Sequence, residues 1–345
     1  MTALQKHLAF HNKEGELNFD APTHVYTNEE NKVYTSVTQL LEKFSPKFDK
    51  EFWGMYTALK DNGLKVKPDL DNRAIVVSGK HLPLKSLLVD GIYKHWYAAT
   101  LAKWEGINAE AIHRGNNTHD YLESTVNKSK GFVNGVSGDN YQLRPEGYKG
   151  ASITTIHDLD QTDLKDRFPV IYERLTKFIE RDCIIYAEKR LRLDLAQIAG
   201  MIDLPIVKRG TNKFCILDWK TNKEKFYPTA GYMKKIKVGD KWIKSETFVP
   251  TDDRFSYPIG NVPYCKIMTY ALQLSIYAYM MEVWGYELVA NGLQIVHIRP
   301  GEEPEVLNLP YLRDEVELLI RHRLEELGIP FFDKTNIEAN YNYGK

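Results

Sequence analysis

Two aspartates and a lysine carry the densest chemistry in this chain. Asp203 sits between apolar stretches in AGMIDLPIV; fifteen positions later Asp218 sits in CILDWKT, with Lys220 two residues further on. A carboxylate inside an apolar strand is costly unless it is paired or bound to a metal. Residues i and i+2 of a strand point to the same face, so Asp218 and Lys220 share one. The polar turn at 209–212 makes the two segments a hairpin and can bring Asp203 beside Asp218. Two acids and a lysine at one end of a sheet can bind a divalent metal and activate a water beside it. The same three can instead form a buried salt bridge that leaves one acid partly exposed. Three more features accompany them: Gly115 and His119 in GNNTHDYLE, Glu188 in IIYAEKRL, and Gln273 with Tyr277 on an apolar helix. Gln273 and Tyr277 are i, i+4 and share a face, and polar groups on a buried face need partners. Singly, each has an ordinary structural explanation: a surface or satisfied core histidine, an unremarked glutamate, a hydrogen-bonded core Gln–Tyr pair.

The elements that must position these residues can be read from periodicity and turn chemistry. Residues 24–36 (THVYTNEENKVYT) predict a β-hairpin about the NEEN turn. A short helix over VTQLLEKF follows, with Ser36 or Thr38 as N-cap. Residues 64–89 read as a surface loop and hairpin, and 92–106 as a helix. A second helix beginning near Asn108 carries His119. Residues 128–152, rich in Gly, Asn and Ser, read as loop. A helix over 161–182 has Phe168, Ile171, Leu175 and Ile179 on one face. Then come three strands, 184–195, 196–208 and 213–221, whose short turns make them antiparallel neighbours. A charged, Pro/Gly-punctuated insertion spans 223–264. A helix over 264–284, apolar nearly all round, must be buried. A strand at 292–300, an amphipathic helix at 310–327 and a polar tail complete the chain. The pattern is that of an α/β domain whose mixed central sheet is flanked by helices on both faces.

Composition bounds the function. The chain has 345 residues and 43% hydrophobic residues, enough for a sizeable core; 46 basic and 46 acidic residues leave no formal net charge. A globally basic coat for nucleic acid is excluded, though a local patch is not. No apolar run reaches the roughly 18 residues a membrane span needs, and the N-terminal residues lack a signal peptide's apolar stretch, so a cytoplasmic location is expected. The cysteines, Cys183, Cys215 and Cys265, are too few and too scattered for a zinc ribbon or an all-cysteine iron–sulfur cluster.

In order, the motifs run GxxxH on a helix (Gly115, His119), a Glu-bearing strand (Glu188), GxxD (Gly200, Asp203), DxK (Asp218, Trp219, Lys220) and QxxxY on the next helix (Gln273, Tyr277). This ordered set resembles the RecB-like branch of the PD-(D/E)XK nuclease superfamily, over roughly 109–300 with the closing helix to about 327. The overall look is most similar to standalone phage RecB-like exonucleases. The residue before Asp203 is Ile202 rather than the proline of the superfamily's name. The resemblance implies a restriction-endonuclease-like core at 109–345 carrying the basic insertion, preceded by an N-terminal hairpin and helical accessory region at 1–108. It implies Mg²⁺ or Mn²⁺ held by His119, Asp203, Asp218 and the backbone carbonyl of Trp219. Lys220 would orient or deprotonate the attacking water or offset transition-state charge. Glu188 would help hold a second ion or its hydration shell, and Gln273 and Tyr277 would order the Lys220 side and contact the DNA backbone. The activity implied is a phosphodiester hydrolase leaving 5′-phosphate ends: an exonuclease in phage or bacterial DNA recombination, repair or degradation. Its partners would be single- or double-stranded DNA and a phage recombination or single-strand-annealing protein, with no membrane. The absence of G-x-x-x-x-G-K-[ST] leaves no ATP-driven motor. Two other readings stand beside it: a catalytically idle nucleic-acid-binding module of the same fold, which the retained Asp203, Asp218 and Lys220 argue against, and a structure-specific endonuclease acting on DNA or RNA.

Cations for a phosphate backbone are concentrated in one place. Residues 208–244 hold eleven Lys and Arg against three acids, a balance of +8, so the rest of the chain sums to −8. Lys223, Lys225, Lys234, Lys235, Lys237 and Lys241 are the expected nucleic-acid contacts. Phe226, Tyr227, Tyr232 and Trp242, interleaved with them, suit stacking on a single strand. The alternative is a merely solvated loop. Each lost phosphate contact should reduce the slope of log affinity against log salt by roughly 0.7–0.9. Changing Lys234, Lys235, Lys237 and Lys241 to Ala should therefore flatten it by about 2–4 units in a filter-binding titration in Ca²⁺; an unaltered slope would place the DNA path elsewhere.

Overall fold

The computed structural model describes residues 1–13, 17–20, 23, 25–128, 152–239, 241–329 and 331. The chain forms two compact units, Met1–Pro46 with Thr118–Lys345, and Lys47–Asn117. This boundary differs from the expected one at 108/109. The first 46 residues belong with the larger unit because their helices and strands complete its core and one of its sheets.

The N-terminal part of the larger unit contains α1 (Ala3–His11), β1 (Leu17–Asp20), β2 (Val25–Asn28), β3 (Val33–Ser36) and α2 (Val37–Phe44). The hairpin expected at 24–36 is β2–β3, with Tyr26 opposite Tyr34. Of the two candidate caps for α2, Ser36 serves, in a reciprocal capping box with Gln39.

The smaller unit has α3 (Lys50–Asp61), β4 (Val66–Asp69), β5 (Ala74–Val77), β6 (Lys80–Pro83), α4 (Leu84–Val89) and the start of α5 (Gly91–Lys128). The expectation of loop and hairpin at 64–89 is corrected to a three-stranded antiparallel sheet and a helix. Its core of Phe52, Met55, Leu59, Ile75, Val77, Leu84 and Leu87 supplies the packing that short strands lack alone. The two helices expected over 92–106 and from Asn108 are one, the 38-residue α5. No proline interrupts it, and its interior glycines, Gly106 and Gly115, cost only about 1 kcal/mol each against Ala.

The larger unit continues with β7 (Ser152–Ile153), α6 (Ile156–Asp160), α7 (Leu164–Arg167), α8 (Pro169–Glu180), β8 (Cys183–Tyr186), β9 (Lys189–Leu193), β10 (Ile198–Ile202), β11 (Leu204–Lys208), β12 (Lys213–Lys220), β13 (Gly231–Val238), β14 (Lys241–Pro250), α9 (Lys266–Val283), β15 (Glu287–His297), β16 (Glu305–Asn308) and α10 (Arg313–Glu326). The single helix expected at 161–182 is broken because Pro169 starts α8, where its missing N–H costs nothing; Ile171 and Leu175 are buried as expected. The loop expected at 128–152 lies outside the described residues beyond α5 and before β7, as does the polar tail. Among the described residues no helix is long and apolar enough to cross a membrane.

Two sheets carry this unit, both mixed. One has the order β1-β2-β3-β10-β9, with β3 and β10 parallel; the other runs β16-β15-β12-β11-β8-β7, with β12 and β15 parallel. The strands expected as continuous over 184–195 and 196–208 are each divided between them: β8 and β11 pair in the six-stranded sheet, β9 and β10 in the other. The breaks fall at Ala187-Glu188 and Asp203, where the Glu188 N–H donates to the Asp203 carbonyl at 2.8 Å. A strand that leaves one sheet for another must give up its ladder at the crossing, which a run of apolar residues does not announce. Glu188 has φ 45°, a left-handed conformation that costs a residue with a Cβ roughly 1–2 kcal/mol.

Helices cover both faces of the six-stranded sheet. Phe214 and Ile216 of β12 face the core containing the largely buried α9; Cys215, Leu217 and Trp219 face the core containing Ile171 and Leu175 of α8. Gly200 is required where α9 meets β10. A Cβ there would lie 2.4 Å from Cε1 of Tyr277 and 3.1 Å from Cγ2 of Val37. Gly200→Ala should destabilise the protein by about 1–3 kcal/mol through overpacking, measured by chemical denaturation; an unchanged midpoint would show that Tyr277 can be displaced without cost.

Candidate active site

The alternation along β12 decides where its polar residues point. Asp218 and Lys220 continue the parity of Phe214 and Ile216, toward α9; Trp219 points the other way. Asp218 is 2% exposed, and its Oδ2 forms an ion pair with the Lys220 ammonium. Burial first, and Asp203 second, push the Asp218 carboxyl up to about 6, against the opposing pull of Lys220. Burial opposes the charge on Lys220, but Asp218 and then Asp203 outweigh it and raise its pKa. The salt bridge weighed from the sequence is present, between Lys220 and Asp218.

Asp203 sits at the crossing between β10 and β11. Its Oδ2 accepts the Trp219 N–H at 2.9 Å, which ties it to β12 beside Asp218. Nδ1 of His119, in the C-terminal part of α5, is 3.6 Å from the same oxygen. His119, Ala187, Glu188, Asp203, Leu204 and Trp219 line one small recess. Gln273 donates to the Tyr277 hydroxyl at 3.1 Å, and burial, with contributions from Tyr26, Asp218 and Asp203, holds the Tyr277 hydroxyl well above its usual range. The structure therefore gathers His119, Glu188, Asp203, Asp218, Trp219, Lys220 and Tyr277, with Gln273 acting through Tyr277. Glu188 and Asp203, expected within strands, occupy the two breaks instead, which lets them face the recess at the fork between sheets.

The middle of the insertion is a two-stranded ribbon: β13 and β14 pair antiparallel, with Lys235 opposite Lys244. Lys223, Lys225, Lys234 and Lys235 are exposed. Lys237 and Lys241 fall on the ribbon strands, and their side chains lie outside the described ones.

Three participants escaped the sequence reading. Tyr26 of β2 is pushed up to about 12 by burial, offset by Arg190 and reinforced by Glu188 and Asp203. Tyr26 and Arg190 thus bring the N-terminal sheet to the acidic centre. The Lys220 ammonium lies over the ring of Tyr270, 4.8 Å from its centroid. A tyrosine in a hairpin and an arginine in a basic strand carry no signal alone; Tyr270, three residues before Gln273 on the same helix, was the one within reach of helical spacing.

The two carboxylates and the imidazole, with the Trp219 carbonyl, would make an oxygen-rich donor set of the kind Mg²⁺ or Mn²⁺ takes. Among the described residues no group of three His, Cys, Asp or Glu side chains converges as a ready-made cage. Burial first and Asp203 second hold the Asp218 carboxyl above its usual range, and a cation beside it would act in the opposite direction. Comparison of the chain with protein-family models, with curated proteins and with solved structures gives no match.

If a divalent ion is taken there, it should compete with a proton at Asp218. The rise in Tm produced by Mn²⁺ should be small at pH 5 and grow as pH rises through about 6, because ligands must be deprotonated. Thermal melts with and without Mn²⁺ at each pH measure this. His119→Ala should weaken the Mn²⁺ effect more than the Mg²⁺ effect, since imidazole suits Mn²⁺ better; equal effects would place His119 outside the ligand set.

Proposed function

We propose that this protein is a divalent-metal-dependent DNA nuclease with a PD-(D/E)XK core of the RecB-like kind, acting as an exonuclease in phage or bacterial DNA processing. The observation that carries the reading is the placement of Asp218 and Lys220 on one buried strand face. Asp203, at the crossing between β10 and β11, is fastened to the Trp219 amide between them, and His119 stands 3.6 Å from Asp203. An apolar strand has no packing reason to hold this pair, and a well-packed hydrophobic replacement of a buried ion pair is often as stable or more so.

His119, Asp203, Asp218 and the Trp219 carbonyl would hold Mg²⁺ or Mn²⁺. Bound there, the ion would polarise the scissile phosphate and lower the pKa of a bound water. Lys220 holds a proton at Nζ beside the carboxylates and would orient the attacking water or offset charge on the five-coordinate phosphorus of the transition state. Trp219 fixes the Asp203 carboxylate through its N–H. Glu188, across the recess, adds negative charge for a second ion or its hydration shell. The lysines of β13–β14 draw the phosphate backbone toward a centre that is itself acidic.

End-labelled linear and covalently closed circular DNA, single- and double-stranded, with Mn²⁺ or Mg²⁺, test the activity. Release of nucleotides from linear DNA alone is expected; cleavage of circles would make it an endonuclease, and no cleavage of any substrate would overturn the reading. Lys220→Ala should lower turnover by at least about 100-fold, in the range seen for lost transition-state contacts, with DNA affinity in Ca²⁺ nearly intact. Turnover close to that of the unaltered protein would remove Lys220 from the chemistry.

A further inference from the structure

A lysine ammonium rides on a flexible four-carbon stem, and one ion pair leaves its direction loosely set. Lys220 has a second restraint. Its Nζ lies 4.8 Å from the centroid of the Tyr270 ring, on the face side that attracts cations. The ring is fixed in turn. Its hydroxyl donates to Asn222 Oδ1 at 2.7 Å. The Asn222 carbonyl accepts from Nε2 of His297 at 2.8 Å, and His297 is 1% exposed and stands opposite Lys220 in the parallel β12–β15 register. Phe226 closes the circuit: it stacks on His297 at 4.0 Å and meets Tyr270 edge-on at 5.5 Å. Burial raises the Tyr270 pKa and keeps the hydroxyl protonated to donate.

We infer that Tyr270 is the positioning residue for Lys220, and that Asn222, His297 and Phe226 lock its ring while fastening the root of the β13–β14 ribbon to the same point. The inference rests on the nuclease reading for its consequence in turnover, but not for its geometry. Phe226 leads directly into the ribbon that carries the exposed lysines, so the segment that meets DNA is anchored to the residue that sets the lysine. The circuit is not a requirement of the main core: Tyr270 and Phe226 are only partly buried at its margin.

Two measurements separate the inference from the reading beneath it. The first is a heteronuclear spectrum of protein carrying lysine labelled at Cε, with Lys220→Ala to assign the Lys220 signal. The Lys220 ε-methylene protons should show an upfield ring-current shift that persists in Tyr270→Phe and disappears in Tyr270→Leu. A random-coil position in the unaltered protein, or no change in Tyr270→Leu, overturns the inference whatever the activity. The second is steady-state cleavage. Tyr270→Leu should lower kcat by about 10–100-fold, the scale on which a misplacement of about 1 Å is felt, with KM and Ca²⁺-supported DNA affinity within about twofold. Tyr270→Phe should recover most of the loss, because it keeps the ring. A loss confined to KM would mean that Tyr270 contacts DNA instead, and failure of Tyr270→Phe to recover would assign the effect to the hydroxyl; either overturns the inference. Should Tyr270→Leu not fold, Asn222→Ala frees the hydroxyl without removing the ring and should lower kcat by about 3–10-fold at constant KM; an unchanged kcat counts against the inference equally. If the shift pattern holds and no DNA is cleaved, the positioning stands and the nuclease reading falls.

Discussion

The buried pair of Asp218 and Lys220 is the constraint around which this structure is arranged. Removing an ion from water costs several kcal/mol even after relaxation, and mutual attraction repays it only when the remaining polar atoms are also satisfied. Here the pair sits at the end of β12, between two apolar cores, and its neighbours supply what water would have supplied. The Tyr270 ring lies beside the ammonium. His119 lies close enough to lower the cost of charge on Asp218, while Asp203 raises it. The balance is incomplete: the Asp218 carboxyl stays above the usual carboxylate range. A purely structural salt bridge would gain stability by removing the second acid. This fold instead ties Asp203 to the Trp219 amide.

The fork between the two sheets makes that second acid available. β8–β11 and β9–β10 would form one long antiparallel ribbon if their strands ran on. Both strands break at the same level, joined there by the hydrogen bond between Glu188 and Asp203. The break turns Asp203 toward Trp219 and His119 and holds Glu188 in a left-handed conformation. Such strain persists only where the surroundings over-determine it, and the two sheets provide that on either side. Gly200, just before the fork, lets the ring of Tyr277 approach β10 closely, which brings α9 with Gln273, Tyr277 and Tyr270 against the site.

The legible part of the site was the part carried by local pattern. The parity of Asp218 and Lys220 follows from a period of two along KFCILDWK, and it survived folding because β12 is a single uninterrupted strand. Gln273 and Tyr277 share a helix face for the equally local reason of helical spacing, and they hydrogen-bond as their i, i+4 placement allows. Ser36 marks the start of α2, by a side chain that accepts amide protons. Where the reading departed from the structure, the local signal was passed over, as with Pro169 at the start of α8, or was absent. A strand that changes sheets has the same apolar residues on both sides of the change, so the breaks at Glu188 and Asp203 were invisible. The helix break placed near Asn108 is absent, because an exposed helix tolerates the polar and glycine residues there.

By itself the sequence determined the order of elements around the site, the strand and helix faces on which Asp218, Lys220, Gln273 and Tyr277 lie, and the concentration of lysines in one insertion, because each of these is set within a few residues of chain. Only the tertiary structure decided that Asp203 accepts the Trp219 amide, that His119 reaches Asp203 from α5, that Tyr26 and Arg190 bring the N-terminal sheet to the acids, and that Tyr270 lies over Lys220. Those contacts join residues far apart in the chain, and they exist because two mixed sheets exchange strands at a single level, a property of packing that no window of residues contains.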